Sequence, residues 1–183
     1  MINKIMIEQI KKRKEDLEVY YNRLVRQIES GQMGGYEDRA FLAKYAIGQG
    51  LDCMCGDFLI GDSVGIDMDK AKIGASFFLV DATKLTQIPD NSQDFIVSNY
   101  LDAVPNVIET LINWRRVLKT GKVLALAVRN ADTYIRDRGP LENLKRLQCF
   151  TPRTLKFYLH RAGFEQFHYE VENSSLRVAA KKL

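Results

Sequence analysis

Residues 51–67 read LDCMCGDFLIGDSVGID, and this stretch decides the fold class. It contains two short apolar runs of strand length, 51–55 and 63–67, separated by a turn-forming segment. Two further apolar runs follow at 77–80 and 95–98. Because strands alternate with helical segments along the chain, we predict an α/β protein with a mostly parallel central sheet.

The segment between the first two strands, 56–62, has only seven residues. A helical crossover between parallel strands takes at least about 10–12 residues. Seven extended residues reach about 23 Å, which is enough to return along a five-residue strand and step sideways. Two connections fit this spacing: a crossover loop without a helix, or a β-hairpin.

The middle of the chain continues the alternation of strands and helices. A helix is expected from about Asp102, with Pro105 in its first turn, to a stop signal at 119–121. The unbroken apolar run at 123–128 then predicts a strand that is buried on both faces. Residues 129–150 are polar and irregular, and the sequence assigns no element to them.

The C-terminal part has clear boundary signals. Thr151 followed by Pro152 predicts the start of a helix, and Gly163 predicts its end. The segments 164–171 and 176–181 flank a turn and predict a closing β-hairpin, which adds an antiparallel edge to the sheet. The expected total is about seven strands.

The N-terminal segment, 1–35, is predicted to be a helical arm in front of a domain at 36–183. Its apolar residues recur at helical spacing over 1–30, and glycines end the pattern. A short helix at 37–47 then begins the domain. The arm could pack on its own domain, cover a binding pocket or form a homodimer contact through Leu17, Tyr21, Leu24 and Ile28.

Composition places the chain among ordinary globular proteins, with 46% hydrophobic and 27% charged residues in 183. No apolar run approaches the ~18 residues of a membrane helix, and no signal-peptide core is present. A cytoplasmic location and no membrane partner are therefore expected. Cys53, Cys55 and Cys149 lack further ligands nearby, so we expect buried thiols and no metal site.

The net charge of +4 is unevenly distributed along the chain. Residues 31–112 contain five basic and twelve acidic residues, whereas 113–161 contain twelve basic and three acidic ones. The acidic region suits a cationic ligand, and the basic region suits an anionic one. Nucleic acid is disfavoured as a partner because stacking aromatic residues do not alternate with the basic ones.

Polar elements stand at the expected carboxyl ends of the first four strands, where open α/β sheets bind ligands. They are 51–57, 65–69, 80–82 and 97–100. Their order resembles the S-adenosylmethionine-dependent methyltransferases of the Rossmann-like class, over residues 51–183. The run RVLKTGK at 116–122 is similar to that family's R-V-L-K-P-G-G turn. Phe150-Thr151-Pro152 and Ala162-Gly163-Phe164 look like the tail of small bacterial members, some associated with surface-polysaccharide synthesis.

The resemblance implies S-adenosylmethionine as cofactor and favours the crossover loop over the hairpin. Asp67 would accept hydrogen bonds from the ribose hydroxyls, and Asp81 from the adenine amino group. Asp52 and the loop after it would hold the methionine end. The expected cofactor-binding residues are Asp52, Cys55, Gly56, Asp57, Asp67, Met68, Asp81, Ala82, Ser98 and Asn99. A dinucleotide is disfavoured because the glycine pattern and helix for its pyrophosphate are missing.

The sequence also departs from the family pattern. Met54 and Phe58 occupy the first and third glycine positions of the family's G-C-G-x-G loop. Ala103 stands where many relatives have a histidine, so no general base carries over. Tyr100 and Asp102 are the nearest polar candidates for catalysis, although packing of Tyr100 and helix capping by Asp102 explain them better. A degenerate protein that binds a ligand or partner without methyl transfer is the alternative function.

The acceptor is expected to be a small molecule, anionic or sugar-linked. The loop after the fifth strand lies where an acceptor would enter, and it contains Arg129, Arg136 and Arg138. Guanidinium groups suit a phosphate or carboxylate on that molecule. The identity of the acceptor is not encoded in any motif.

Overall fold

A seven-stranded sheet forms the centre of the computed structural model, which describes residues 36–56, 59–68, 77–133, 147–172 and 174–183. The strands are β1 (Gly50–Cys53), β2 (Val64–Asp67), β3 (Phe77–Leu79), β4 (Gln93–Ser98), β5 (Leu118–Arg129), β6 (Phe164–Glu172) and β7 (Ser175–Lys182). The helices are α1 (Tyr36–Ala43), α2 (Val107–Val117) and α3 (Pro152–Arg161), and Leu101–Ala103 forms a 3₁₀ turn. The predicted N-terminal arm lies outside the described residues.

The strand order is β3-β2-β1-β4-β5-β7-β6. The first five strands are mutually parallel, and β7 lies antiparallel between β5 and β6. The order reverses at β1, where the chain passes from one side of the sheet to the other. This confirms the predicted α/β fold with a mostly parallel sheet of about seven strands and an antiparallel C-terminal hairpin.

The short connection between β1 and β2 is a parallel crossover, since Leu51 pairs with Val64 and Cys53 with Ile66 in parallel register. The hairpin alternative is therefore wrong. The described end of the connection, 59–63, is turn and loop. The Asp52 carboxylate accepts a hydrogen bond from the Ile60 backbone N–H at 3.0 Å and so ties this connection to β1.

The predicted boundaries of the next helix are wrong at both ends. α2 begins at Val107, and the Asn106 side chain caps it by accepting from the Glu109 N–H. Pro105 therefore precedes the cap, because a separate 3₁₀ turn uses the residues around Asp102. The helix ends at Val117 and the chain becomes extended at Leu118, before the expected stop signal at 119–121.

The signals in the C-terminal part are confirmed. Thr151 and Thr154 form a reciprocal capping box at the start of α3, with Pro152 in the first helical position. Gly163 has φ +80°, the left-handed conformation that ends a helix. β6 and β7 then form the predicted hairpin. The helix predicted at 37–47 is shorter, because α1 ends at Ala43 and turns follow.

The core has two layers. The larger cluster packs α2 and α3 against one face of the sheet, with Trp114 fully buried and its indole N–H donating to the Ala82 carbonyl at 2.7 Å. The smaller cluster packs Phe41 and Leu42 of α1 against the other face. Within the described ranges, no helix is long and apolar enough to cross a membrane.

Candidate functional site

The loop after β1 meets the carboxyl end of β2. The Asp67 carboxylate accepts a hydrogen bond from the Gly56 N–H at 3.2 Å. The Met54 N–H donates to the Ile66 carbonyl at 2.7 Å and extends the contact between the two strands. Two of the predicted site residues, Asp67 and Gly56, are thus in direct contact at the edge where open α/β sheets bind ligands.

Gly56 has open space on the side where a side chain would stand. Its φ is +65°, and apart from its two chain neighbours no atom of the described residues lies within 4 Å of an ideal Cβ built on it. The backbone of this loop is therefore accessible to a ligand without rearrangement of its neighbours. A glycine at positive φ with open space above it suits close approach of a ligand to the main chain.

Met54 adopts a conformation that suits glycine. Its φ is +58°, in the left-handed region that costs a residue with a side chain about 1–2 kcal/mol. Its side chain is partly buried and packs against the larger core cluster. The loop backbone is thus left-handed at the position where Met54 replaces the first glycine of the pattern.

Asp81 follows β3 and caps a turn. Its Oδ1 accepts from the Thr83 N–H at 2.9 Å and from the Thr83 hydroxyl at 2.6 Å, and Lys84 Nζ lies 3.6 Å from Oδ2. The hydrogen bond from the Thr83 side chain lowers the pKa of Asp81, so this carboxylate is ionised at neutral pH. Ala82 beside it is buried, and its carbonyl is the acceptor of the Trp114 indole.

The segment after β4 is held by internal hydrogen bonds. Ser98 is fully buried, and its hydroxyl accepts from the Tyr100 N–H at 3.2 Å. Tyr100 is half-buried at the start of the 3₁₀ turn, and Asn99 lies between them. This places Ser98 and Asn99 at the same sheet edge as the β1–β2 contact.

Asp102 fastens two neighbouring segments. It is fully buried, and its carboxylate accepts from the Arg129 N–H at 3.1 Å at the end of β5. Its carbonyl accepts from the N–H groups of Leu147 and Gln148 at 2.8 and 3.0 Å. These contacts explain Asp102 as a structural residue that anchors Arg129 and 147–148.

Asp52 is buried in β1, where its carboxylate faces the β1–β2 connection. Burial raises the pKa of Asp52 to about 7, while the nearby positive charge of Arg39 and the Ile60 hydrogen bond oppose the shift. The negative charge of Asp67 raises it slightly further. A carboxyl group with this pKa changes its charge near neutral pH.

The expected acceptor side is only partly described. Arg129 lies at the end of β5, and its guanidinium donates to the Ser175 hydroxyl at 3.4 Å. Arg136, Arg138 and the predicted cofactor residue Asp57 lie outside the described residues. Met68 is exposed next to Asp67, and Cys55 is buried below the loop. The described ranges contain no group of three or more possible metal-binding side chains.

A buried ion-pair network near this edge is absent from the sequence-based prediction. The Arg177 guanidinium in β7 donates to the Asp38 carboxylate in α1 at 2.7 Å and to Glu172 at 2.6 Å. Burial lowers the pKa of Arg177, but hydrogen bonds to these carboxylates outweigh burial and raise it. The sequence does contain one indication of this network: Arg177 stands alone within the apolar run 176–180, and a buried charge requires a partner.

The fold matches solved structures. A S-adenosylmethionine-dependent methyltransferase from Methanosarcina mazei has a TM-score of 0.59 at 19% identity, covering 74% of this chain and 92% of its own. A second from Thermotoga maritima, described as a possible histamine N-methyltransferase, has a TM-score of 0.67 at 15% identity, covering 92% and 99%. The chain has the Rossmann-like methyltransferase fold.

Other proteins with this fold have different activities. The [4+2]-cyclase SpnF has a TM-score of 0.64 at 16% identity to this chain, covering 80% of each. No protein-family model and no curated protein sequence matches the chain significantly. The methyltransferase fold therefore positions the site, and the activity must be argued from the site residues.

Proposed function

We propose that the chain is a methyltransferase that binds S-adenosylmethionine at the carboxyl ends of β1–β4 and methylates an oxygen or nitrogen of a small molecule. The observation that carries this proposal is the contact of Asp67 with Gly56 beside the open space above Gly56. The contact presents a carboxylate and an accessible main chain at one point of the sheet edge. A ribose with two hydroxyl groups and a cationic tail is complementary to that pair.

We assign the binding site for the adenosine half of S-adenosylmethionine to the carboxyl ends of β2, β3 and β4. Asp67 accepts from the ribose hydroxyls, the exposed Met68 side chain covers one face of the adenine, and Asp81 faces its amino group. Ala82, Ser98 and Asn99 complete this part of the site. The ionised state of Asp81 favours hydrogen-bond acceptance, since a charged acceptor forms the stronger bond.

The methionine half is assigned to the loop after β1. Gly56 allows close approach, and Cys55 and Asp57 flank it in sequence. Asp52 is assigned a positioning role, because its carboxylate accepts a hydrogen bond from the Ile60 N–H and so holds the connection that follows the loop. The acidic character of this region, with Asp52 and Asp67 close enough to influence each other's charge, suits the cationic end of the cofactor.

S-adenosylmethionine supplies a methyl group on a sulfonium, which an acceptor displaces in line. Such a reaction is helped mainly by positioning, so the residues of this chain need to orient two molecules and exclude water. Asp102 is engaged with the backbone of Arg129 and of 147–148, which leaves Tyr100 as the remaining polar candidate of the two. We assign Arg129, at the end of β5, to the acceptor side, where its guanidinium suits an anionic acceptor.

A thermal-shift comparison tests the cofactor class. We expect millimolar S-adenosylhomocysteine and S-adenosylmethionine to raise the melting temperature of the full chain, because a ligand that binds only the folded state stabilises it. NAD is expected to give no shift, since the described part of the β1–β2 connection, 59–63, is turn and loop and provides no helix N-terminus for a pyrophosphate. A shift with NAD alone would contradict the proposal.

Gly56→Ala is expected to weaken S-adenosylhomocysteine binding at least about tenfold, because its methyl group enters the space above the loop. The matched control is Gly61→Ala. Gly61 also has positive φ, +59°, but its Cβ would meet Ala46 at an ordinary 3.8 Å, away from this edge. Both variants carry the backbone strain, and only the first should lose affinity in isothermal titration calorimetry. If both variants lost S-adenosylhomocysteine affinity equally, the loss would be due to backbone strain and not to the space above Gly56.

One observation favours the second candidate, a degenerate protein that binds a ligand or partner without methyl transfer. Met54 occupies a left-handed position where the family has glycine. Met54→Gly removes the side chain and its strain, and we expect it to bind S-adenosylhomocysteine at least as tightly as the wild type. Binding that appears only in Met54→Gly would favour the degenerate protein over the methyltransferase.

A further inference from the structure

The solvent-facing side of α3 is cationic and carries one protruding aromatic ring. Leu155 and Leu159 face the core. The exposed residues of the helix are Arg153, Thr154, Lys156, Phe157, His160 and Arg161. Phe157 is 60% exposed, and the helix contains no acidic residue.

The cations surround the ring at regular spacing. Arg153 and Arg161 lie four residues before and after Phe157, so all three share one face with a rise of about 6 Å between neighbours. Lys156 is exposed on the neighbouring side of the helix, about 100° around the axis from Phe157. In the part of the chain that the structure describes, the side chains of these cations and of His160 form no ion pair or hydrogen bond. Their charge is therefore available to an external partner.

The stability of the helix does not explain this arrangement. Arg153 lies in the first turn, where the helix dipole disfavours a positive charge. Phe157 makes a ring contact with the adjacent Tyr158, at 5.9 Å between centroids, but most of its surface faces water. Arg161 in the last turn complements the dipole, so helix stability accounts for Arg161 but not for Arg153 or for the exposed ring of Phe157.

We propose that this surface, Arg153, Lys156, Phe157 and Arg161, binds single-stranded nucleic acid. Phe157 stacks on an unpaired base, and the three cations bind the flanking phosphates. The aromatic residue among basic ones that the sequence analysis found missing is thus supplied by Phe157 once the helix is folded. This proposal does not depend on methyl transfer.

The composition of the surface favours a polynucleotide over a membrane. Lipid-binding clusters have about 4–8 basic residues, and this surface has three. A helix that binds a bilayer also turns its apolar face outward, whereas the apolar residues Leu155 and Leu159 of α3 are buried against the sheet. One exposed ring with adjacent arginines is sufficient for a single stacked base.

Fluorescence anisotropy with a labelled 15-nucleotide oligouridine tests the proposal, using the full chain without cofactor. We expect binding at 50 mM salt that weakens at 200 mM. Phe157→Ala should weaken binding about fivefold to a hundredfold, the range measured for loss of one stacked base. The control Ile112→Ala removes an apolar side chain of similar exposure, 51%, from α2 and should bind like the wild type.

The salt dependence tests the phosphate contacts. Arg153→Gln/Arg161→Gln should reduce the slope of log affinity against log salt by about 1.4, at 0.7 for each lost contact. Lys122→Gln, on β5, should leave the slope unchanged. No binding of the oligouridine at 50 mM salt, or equal binding by Phe157→Ala and the wild type, would overturn the proposal. The proposal would also be overturned if the protein sedimented with phosphatidylserine-containing vesicles but did not bind the oligouridine.

Discussion

Asp67→Asn is expected to lower the affinity for S-adenosylhomocysteine by about 100-fold. The amide oxygen of asparagine still accepts from the Gly56 N–H, so the loop contact at 3.2 Å is retained. What is lost is the negative charge and an acceptor for the ribose hydroxyls. Loss of one or two charge-assisted hydrogen bonds corresponds to about 3 kcal/mol, or roughly two orders of magnitude in affinity.

Isothermal titration of the wild type and Asp67→Asn measures this difference. Asp62→Asn is the matched control, because it removes the same charge from an exposed turn at the opposite end of β2. It should bind like the wild type. If Asp67→Asn bound as tightly as Asp62→Asn, Asp67 would not contact the cofactor.

Asp52→Asn is expected to stabilise the protein at pH 8 by up to about 4 kcal/mol and to have little effect at pH 4. The pKa of Asp52 is about 7 in the folded protein, against an ordinary value of 3.8. The folded state therefore holds a proton that the unfolded state has released between these two values, and stability falls as pH rises from about 4 to 7. Above pH 7 the buried charge costs the folded state about 1.4 kcal/mol for each pH unit of the shift.

Urea unfolding at several pH values between 4 and 8 measures this dependence. Asparagine can still accept from Ile60, so the connection is retained while the titration is removed. Asp62→Asn again serves as the control, because an exposed carboxyl group has little effect on stability at any of these pH values. A constant difference between Asp52→Asn and the wild type from pH 5 to 8 would contradict a raised pKa at Asp52.

The features that could be predicted from sequence are those that depend on residues close together in the chain. The capping box at Thr151 and Thr154 and the left-handed Gly163 are decided within a few positions. The parallel connection was harder, because 56–62 allowed two topologies. The strand pairing of β1 with both β2 and β4 decides between them, and pairing is a property of the whole sheet.

The features that sequence reasoning missed depend on residues far apart in the chain. Asp102 bonds with Arg129 and with 147–148, so its role could not be inferred from its place before a helix. Asp38 and Arg177 are 139 positions apart. Phe157 lies outside the apolar stripe of its helix, but its protrusion among cations is evident only when the helix is packed.

The central claim is that adenosine binds at the carboxyl ends of β1–β4 through Asp67. A crystal structure of the full chain grown with S-adenosylhomocysteine tests it most directly. The predicted result is a ribose whose hydroxyl groups lie within hydrogen-bond distance of the Asp67 carboxylate, with the homocysteine part over Gly56. A ligand bound elsewhere, or a site that stays empty at millimolar S-adenosylhomocysteine, would contradict the claim.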